Sequence, residues 1–277
     1  MLRITDTRTG RPVEIPAAPR RLLRSCVHLP AAPATGTGIG PVHLRVPLIG
    51  DVLARTAELH GLQVVTVLST PALTNDQAEA LERVMAVLGI HPPVVVAGHH
   101  PDGALGGPAD IHVLARGAEP DGPTGGVRIE VGPVATEPSA EGTFDPGPVL
   151  PSGSSERPAP EAADPLAMRL LLLSHPYGAS VTFTGQALAD ARRTLRQWRR
   201  QVADWAQQPS RPIPAELLRQ SHALLVDGLG VDAVVELLAE VAERSDVPPG
   251  AKFETFAHLD RVLGLDLVRD IGHPSHP

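Results

Sequence analysis

Two residue types that carry much of protein chemistry are almost absent from this 277-residue sequence, which has one cysteine, Cys26, and one lysine, Lys252. A single cysteine excludes an internal disulfide and a zinc site made only of cysteines. Aromatic residues account for 3% of the chain, so the core must be built mainly from aliphatic side chains. Arginine supplies nearly all of the positive charge, and chemistry that needs an ammonium group has a single candidate.

Long apolar runs and a leading hydrophobic segment are also missing. A membrane-spanning helix needs about 20 consecutive apolar residues, and the apolar stretch at residues 169–174 is far shorter. The N-terminus has no hydrophobic signal region. The net charge of −7 disfavours a general nucleic-acid coat protein. We therefore expect a cytoplasmic protein without a membrane span.

The stretch at residues 43–68 organises the first half of the chain. Apolar residues recur there at helical spacing, and Gly61 follows as a C-terminal stop. Residues 64–68 are an apolar, mostly β-branched run, which is typical of a strand buried on both faces. With a strand predicted at residues 20–28, they indicate a β-α-β unit. A second helix predicted at residues 73–88, capped by Thr74 or Asn75, continues it.

The remaining patterns divide the chain into two parts. Residues 111–116 and 126–131 are islands typical of strands, within a segment dense in Gly and Pro. Helical patterns resume after residue 164, at residues 165–175, 184–207, 214–226, 231–243 and 253–263. Thr184 is the predicted cap of the longest of these helices. We predict a Rossmann-like α/β domain at residues 1–131, a flexible linker at 132–163 and an α-helical bundle at 164–277.

Four stretches of the chain resemble the cysteinyl-tRNA synthetases, which are class I aminoacyl-tRNA synthetases. They are residues 2–15, 24–30, 43–67 and 164–195. The mycothiol cysteine ligases share these features and are an equally near structural relative. The resemblance implies a Rossmann catalytic domain followed by a helical part, and a reaction in which ATP activates the carboxylate of cysteine.

The first nucleotide signature of the family, His-Ile-Gly-His, falls at Gly40-Pro41-Val42-His43, where only the second histidine is kept. In the family this motif binds ATP phosphates at the start of a helix, through backbone amides, histidines and the helix dipole. Pro41 lacks an amide donor, and Val42 replaces a glycine that permits close approach of the base. Gly40 and His43 are therefore the candidates for a remnant ATP site.

The second signature, Lys-Met-Ser-Lys-Ser, should lie just before Asp164, but residues 152–163 contain no lysine. Without these ammonium groups, the charge that develops on pyrophosphate is not neutralised. Arg157 is the one cationic substitute in this segment, and its planar guanidinium differs from the flexible point charge of lysine. The scaffold is compatible with ATP as a cofactor, but we expect that the protein requires no cofactor.

A cysteine-selecting zinc ion is the other cofactor that the resemblance implies. The family binds it with two cysteines, a histidine and a glutamate, and Cys26 falls at the first of these positions. Asp110, Ile111 and His112 weakly echo the family's Asp-Ile-His, but the ligand run that follows it in the family is absent. One secure ligand does not make a closed site, because structural zinc takes four. We therefore predict no stoichiometric zinc at Cys26.

Three further features each have a functional and a structural interpretation. The glycine-rich residues 36–40 suggest a phosphate loop, but they lack the GxGxxG pattern, and a flexible loop is the better interpretation. His99 and His100 with Asp102 suggest a metal site, whereas solvated histidines are typical of such a surface loop. Cys26 is either a nucleophile or, by default, a small buried apolar residue.

Five arginines lie on the helix predicted at residues 184–207, namely Arg192, Arg193, Arg196, Arg199 and Arg200. Four of them share one face by their spacing. That face either meets RNA phosphates or is solvated, and the negative net charge favours solvation. We predict that tRNA binding is weak or absent.

Two functions remain after these observations. The first is a diverged paralogue that lacks aminoacylation and serves as a binding or repurposed module for an unknown protein or small molecule. The second is an active ATP-dependent cysteine ligase, of either the cysteine–tRNA or the mycothiol type. Because both nucleotide signatures are degraded, the sequence favours the first.

Overall fold

The computed structural model describes residues 2–15, 22–31, 41–97, 101–119, 125–136 and 164–272. Its strands are β1 (Arg3–Asp6), β2 (Arg11–Glu14), β3 (Leu22–His28), β4 (Gln63–Thr70), β5 (Val94–Ala97), β6 (Ile111–Ala115), β7 (Val127–Val131), β8 (Val134–Thr136) and β9 (Val181–Phe183). Its helices are α1 (Pro41–Leu59), α2 (Asn75–Val87), α3 (Pro101–Leu105), α4 (Leu166–Leu173), α5 (Gly185–Trp205), α6 (Ala215–Val226), α7 (Val231–Glu243) and α8 (Pro249–Leu263). Strands and helices alternate in the first half, and helices dominate the second.

A parallel five-stranded sheet with the order β5-β4-β3-β6-β7 forms the centre of the first half. Strands β3, β6 and β7 are mostly buried along their length, so both of their faces need apolar residues. The chain runs outward from β3 through β4 and β5, and then returns to the other side of β3 with β6 and β7. The Rossmann-like α/β sheet predicted from the sequence is therefore confirmed, with a topological switch point between β3 and β6.

Helix α1 covers one face of this sheet and is buried along most of its length. It contacts β3, β4 and β6 on one side and α8 on another. The close approach depends on Gly50, because a Cβ atom at this position would lie 2.4 Å from Cγ2 of Val27. The five-residue helix α3 contacts β3, β4 and β5. The side chain of Cys26 packs against Leu105 of α3, so α3 lies on the face opposite α1.

The helix boundaries follow from local capping. The Thr74 side chain and Gln77 form a reciprocal capping box at the start of α2, which confirms the cap predicted there. Thr184 accepts a hydrogen bond from the Ala187 amide at the start of α5, also as predicted. Helix α8 begins at Pro249, four residues before the predicted position, because proline is well suited to the first helical turn.

The second half contains the five helices α4 to α8 and also strand β9, which pairs in parallel with β8. The sequence pattern predicts these helices but neither β8 nor β9. Strand β8 lies within residues 132–136, the described part of the predicted linker, and residues 137–163 lie outside the described residues. A separate helical bundle and the predicted domain boundaries therefore remain predictions. In the described part of the chain, no helix is long and apolar enough to cross a membrane.

Three fully buried arginines, Arg45, Arg169 and Arg199, tie the elements together. Arg169 of α4 donates to the backbone carbonyl of Leu263 in α8 and pairs with Asp51 of α1. Arg45 and Arg199 likewise donate to backbone carbonyl oxygens. A guanidinium is suited to this role, because its five donors can satisfy several buried acceptors at once.

Candidate functional site

The topological switch point brings together three side chains with metal-ligand chemistry, Cys26, His28 and His112. Cys26 and His28 are two residues apart on β3 and therefore face the same side of the sheet. His112 on β6 is the register partner of Cys26, so it faces that side as well. The face is the one opposite α1. Open α/β sheets commonly bind ligands at such a switch point.

The three potential ligand atoms are close together, all lying within 4.8 Å of one another. Nε2 of His28 lies 3.0 Å from Nδ1 of His112, and the two rings stack at 26° with their centroids 5.3 Å apart. Cys26 and His112 are buried, whereas His28 is half-buried. Because all three residues belong to paired strands, the backbone fixes their spacing.

The protonation states in this cluster follow from burial. Burial raises the pKa of the Cys26 thiol to about 12, and the nearby negative charge of Asp102 adds to this effect. Burial lowers the pKa of His112, and the positive charge of Arg128 contributes to the lowering. A hydrogen bond to the Gly125 backbone acts in the opposite direction. The imidazole of His112 is therefore a neutral donor, whereas the thiol keeps its proton unless a cation displaces it.

The cluster is surrounded by apolar side chains and by a hydrogen bond that joins its two strands. Cys26 packs in a small apolar cluster with Val67, Leu105 and Ala109, separate from the main core. The Asp110 carboxylate accepts a hydrogen bond from the backbone amide at position 24, at 2.8 Å. Asp110 therefore holds β3 beside β6, and the Asp-Ile-His echo noted in the sequence has a structural role at its first residue.

The remnant ATP site is only partly described. His43 lies in the first turn of α1 and is buried, with Nε2 3.3 Å from the carbonyl oxygen of Ala31. Since a carbonyl can only accept, this nitrogen is the donor, and the ring ties the loop after β3 to the helix. Gly40, the other candidate, lies outside the described residues, as do residues 36–39, His99 and His100.

The single lysine has a structural role in the second half of the chain. Lys252 in α8 is buried, and its Nζ donates to the carbonyl oxygen of Ala242 at 2.7 Å. The same ammonium group lies 5.4 Å from the ring centroid of Trp205. Lys252 therefore fastens α8 to the helices beside it.

The arginine face of α5 is smaller than the sequence predicted. Arg199 is buried and binds carbonyl oxygens and Asp164, so it does not belong to an exposed face. Three exposed arginines, Arg193, Arg196 and Arg200, line a surface depression together with Asp270. The spacing predicts that Arg192, Arg196, Arg199 and Arg200 share one face. Arg199 is buried and Arg192 is half-buried, so only Arg196 and Arg200 of these four are exposed.

Sequence reasoning identified Cys26 but not its partners. The pattern places His28 only at the end of a predicted strand, and His112 only within a weak echo of the family's Asp-Ile-His. Strand alternation places His28 beside Cys26, whereas the contact with His112 depends on the register between strands 84 residues apart. The family's own set of two cysteines, a histidine and a glutamate is not assembled here, yet these three residues fit a zinc ion by donor type and proximity.

Comparison with known proteins supports the relationship that the motifs suggested. No model of a known protein family matches the chain. The L-cysteine:1D-myo-inositol 2-amino-2-deoxy-alpha-D-glucopyranoside ligase of Thermomonospora curvata is 33% identical over 109 residues, which are 39% of this chain and 26% of the ligase. The ligase of the same name from Streptosporangium roseum is 30% identical over 109 residues, which are 38% of this chain and 26% of the ligase. The matches span about a quarter of each ligase, and they confirm the resemblance to the cysteinyl-tRNA synthetase-like class I ligases.

Proposed function

We propose that this relative of the class I cysteine ligases keeps their sheet but has lost aminoacylation, and that it serves as a binding module. The ligase reaction that the resemblance implies passes through attack of a carboxylate on ATP, with negative charge growing on the departing pyrophosphate. That charge must be neutralised by cations that the protein holds in place. The binding surface we assign to the module is the switch-point face that carries Cys26, His28 and His112.

The position of Lys252 carries the proposal. It is the one ammonium side chain in the sequence. It is buried where α8 packs against other helices, and it donates a hydrogen bond to the carbonyl oxygen of Ala242. Moving it to a nucleotide site would leave that carbonyl oxygen and the Trp205 ring without their cation. The first signature points the same way, because His43 donates to the Ala31 carbonyl.

Equilibrium dialysis with radiolabelled ATP and magnesium tests the proposal. A cysteine ligase with both nucleotide signatures intact serves as the positive control under identical conditions. We expect saturable binding to the control and none to this chain at millimolar ATP. Saturable binding to this chain, lost on His43→Ala, would contradict the proposal.

The second candidate function is an active ATP-dependent cysteine ligase. The two similar proteins favour it, since both carry the name of an L-cysteine ligase. In that case an arginine must replace the missing lysines, and Arg157, outside the described residues, is the candidate from the sequence. ATP binding by the His43 variant and by Arg157→Ala separates the two functions, because only the ligase needs both residues for nucleotide binding.

We further propose that the chain binds tRNA weakly or not at all. Arg193, Arg196 and Arg200 are the exposed cations available on α5, and Asp270 lies among them. Three phosphate contacts would give a slope of log affinity against log salt of about −2 to −3. A salt titration with cysteine tRNA and an unrelated tRNA, on the wild type and on Arg196→Glu with Arg200→Glu, measures this. Tight binding that is selective for cysteine tRNA and abolished by the double change would refute the proposal.

A further inference from the structure

The described part of the chain places a cluster of three side chains with metal-ligand chemistry on the switch-point face, namely Cys26, His28 and His112. Its three members come from two adjacent parallel strands, and all three lie on one side of the sheet. From the sequence we predict no zinc there, because Cys26 is the one secure ligand that the sequence shows. The structure removes that reason, since it places two imidazoles beside the thiol.

We propose that Cys26, His28 and His112 bind one divalent transition-metal ion, with zinc as the best match. The inference goes beyond the proposed function and does not depend on it, because a metal site can exist with or without ligase activity. Nothing of the family's ligand run is needed, since two imidazoles from this chain's own strands take its place.

The distances suit a shared ion. Zinc–nitrogen bonds of about 2.0–2.1 Å and a zinc–sulfur bond of about 2.3 Å, at the tetrahedral angle, place two nitrogens about 3.4 Å apart and a nitrogen and the sulfur about 3.6 Å apart. The two ring nitrogens are 3.0 Å apart, and the whole set of ligand atoms lies within 4.8 Å. A bound ion needs the nitrogens to separate by about 0.4 Å and the sulfur to approach them by at most about 1.2 Å.

The chemistry of the donors selects the kind of ion. A thiolate with two neutral imidazoles suits zinc and other borderline transition metals, whereas magnesium and calcium prefer oxygen ligands. Three protein ligands leave a fourth position for water or a bound molecule, as in zinc sites that are not closed. The hydrogen bond between His112 and the Gly125 backbone would orient the ring, which is a common second interaction of metal-bound histidine.

Metal analysis of the purified chain tests this inference without ATP, cysteine or any assay of activity. The chain is stripped with a chelator, reconstituted with zinc, passed over a desalting column and analysed for metal by mass spectrometry. We expect one zinc ion per chain for the wild type and for the matched control His175→Ala. We expect Cys26→Ser, His28→Gln and His112→Gln each to weaken zinc binding more than about tenfold.

A cobalt titration combined with circular dichroism distinguishes loss of the metal site from loss of folding in a variant. The wild type should show a cobalt–thiolate charge-transfer band that saturates at one ion and disappears in Cys26→Ser, while far-ultraviolet circular dichroism stays unchanged. Zinc should also raise the melting temperature of the wild type and leave that of Cys26→Ser where it was. Absence of metal after reconstitution, or equal metal in the wild type and Cys26→Ser, would overturn the inference. ATP binding is measured in a separate experiment. The outcome of the metal analysis therefore does not determine whether the proposed function is correct, and the outcome of the ATP-binding test does not determine whether the metal site exists.

Discussion

At the scale of single residues, Asp51 of α1 and Arg169 of α4 form a fully buried ion pair that joins the first half of the chain to the C-terminal helices. Oδ2 of Asp51 lies 2.6 Å from Nη2 of Arg169, and both side chains are completely buried. Arg55 and the backbone amide of His91 also bind this carboxylate. A buried charge is tolerated only when it is paired and hydrogen-bonded, and this carboxylate meets both conditions.

We predict that Arg169→Met lowers the free energy of unfolding by about 3–5 kcal/mol, because it leaves Asp51 buried without its partner. The matched control is Arg193→Met, which removes an exposed pair with Asp190 and should cost less than about 1 kcal/mol. Urea unfolding followed by circular dichroism measures both changes. Equal costs for the two variants would mean that the buried pair does not hold the halves together.

At the scale of secondary structure elements, the approach of α1 to β3 depends on a missing side chain. A Cβ atom on Gly50 would lie 2.4 Å from Cγ2 of Val27, which is closer than real contacts allow. We predict that Gly50→Ala destabilises the chain by about 1–3 kcal/mol through overpacking. The effect should be smaller when Val27 is replaced by alanine as well, since the clashing methyl groups are then removed.

Gly185→Ala is the control for this experiment. Gly185 is also helical, but a Cβ atom there would meet nothing within 4 Å. Alanine at this position should be neutral or slightly stabilising, because it reduces the backbone entropy of the unfolded chain. A Gly50→Ala cost that persists unchanged in the Val27→Ala background would show that contact with Val27 is not the cause.

The elements that the sequence predicted well are those specified by local patterns. Helix α7 was predicted at residues 231–243 and lies there, and the caps of α2 and α5 were recognised from threonines that act within three residues. Strands β8 and β9 were missed, because each has three residues and gains its partner only through tertiary structure. Helix α3 was missed because its five residues lie in a stretch rich in glycine and proline.

The candidate site divides in the same way. Cys26 was recognised because it follows a strand pattern and falls at a family position. Its contact with His112 depends on how two strands distant in sequence come into register, which composition and periodicity do not encode. Arg199 was assigned to an exposed face for the corresponding reason, since helical spacing shows which residues share a face and not what that face meets.

At the scale of the whole molecule, His60, which directly follows α1, meets His222 of α6 and His258 of α8 where the two halves of the chain pack. The His60 and His222 ring centroids are 5.3 Å apart, and those of His222 and His258 are 5.5 Å apart. Burial lowers the pKa of His222 and of His258, and neighbouring histidines lower both further. Protonation of this group is therefore more favourable in the unfolded chain than in the folded one.

We predict that the free energy of unfolding falls as the pH is lowered below about 6.5, the ordinary pKa of histidine. In that range the unfolded chain binds more protons than the folded chain, so stability rises with pH and reaches its full value above 6.5. Urea unfolding at a series of pH values measures this dependence. The double variant His222→Gln with His258→Gln should show a shallower slope. An unchanged slope would assign the pH dependence to other groups.

The raised pKa of Asp260, which is caused by its burial, acts in the opposite direction. A carboxyl group whose pKa is higher in the folded chain loses stabilising effect as the pH rises through that value. The comparison between the wild type and the double histidine variant cancels this contribution, because Asp260 is present in both. The difference in slope therefore reports on the two imidazoles.

Cysteine-dependent exchange of labelled pyrophosphate into ATP tests most directly the central claim that this scaffold has lost carboxylate activation. The assay uses the purified chain with zinc supplied, and the His43→Ala variant reveals any contaminating host enzyme. Each lost charge-stabilising contact typically lowers the rate about 10²- to 10³-fold, so we predict exchange at the background level in both proteins. Cysteine-dependent exchange by the wild type that His43→Ala abolishes would contradict the account and establish the chain as an active ligase.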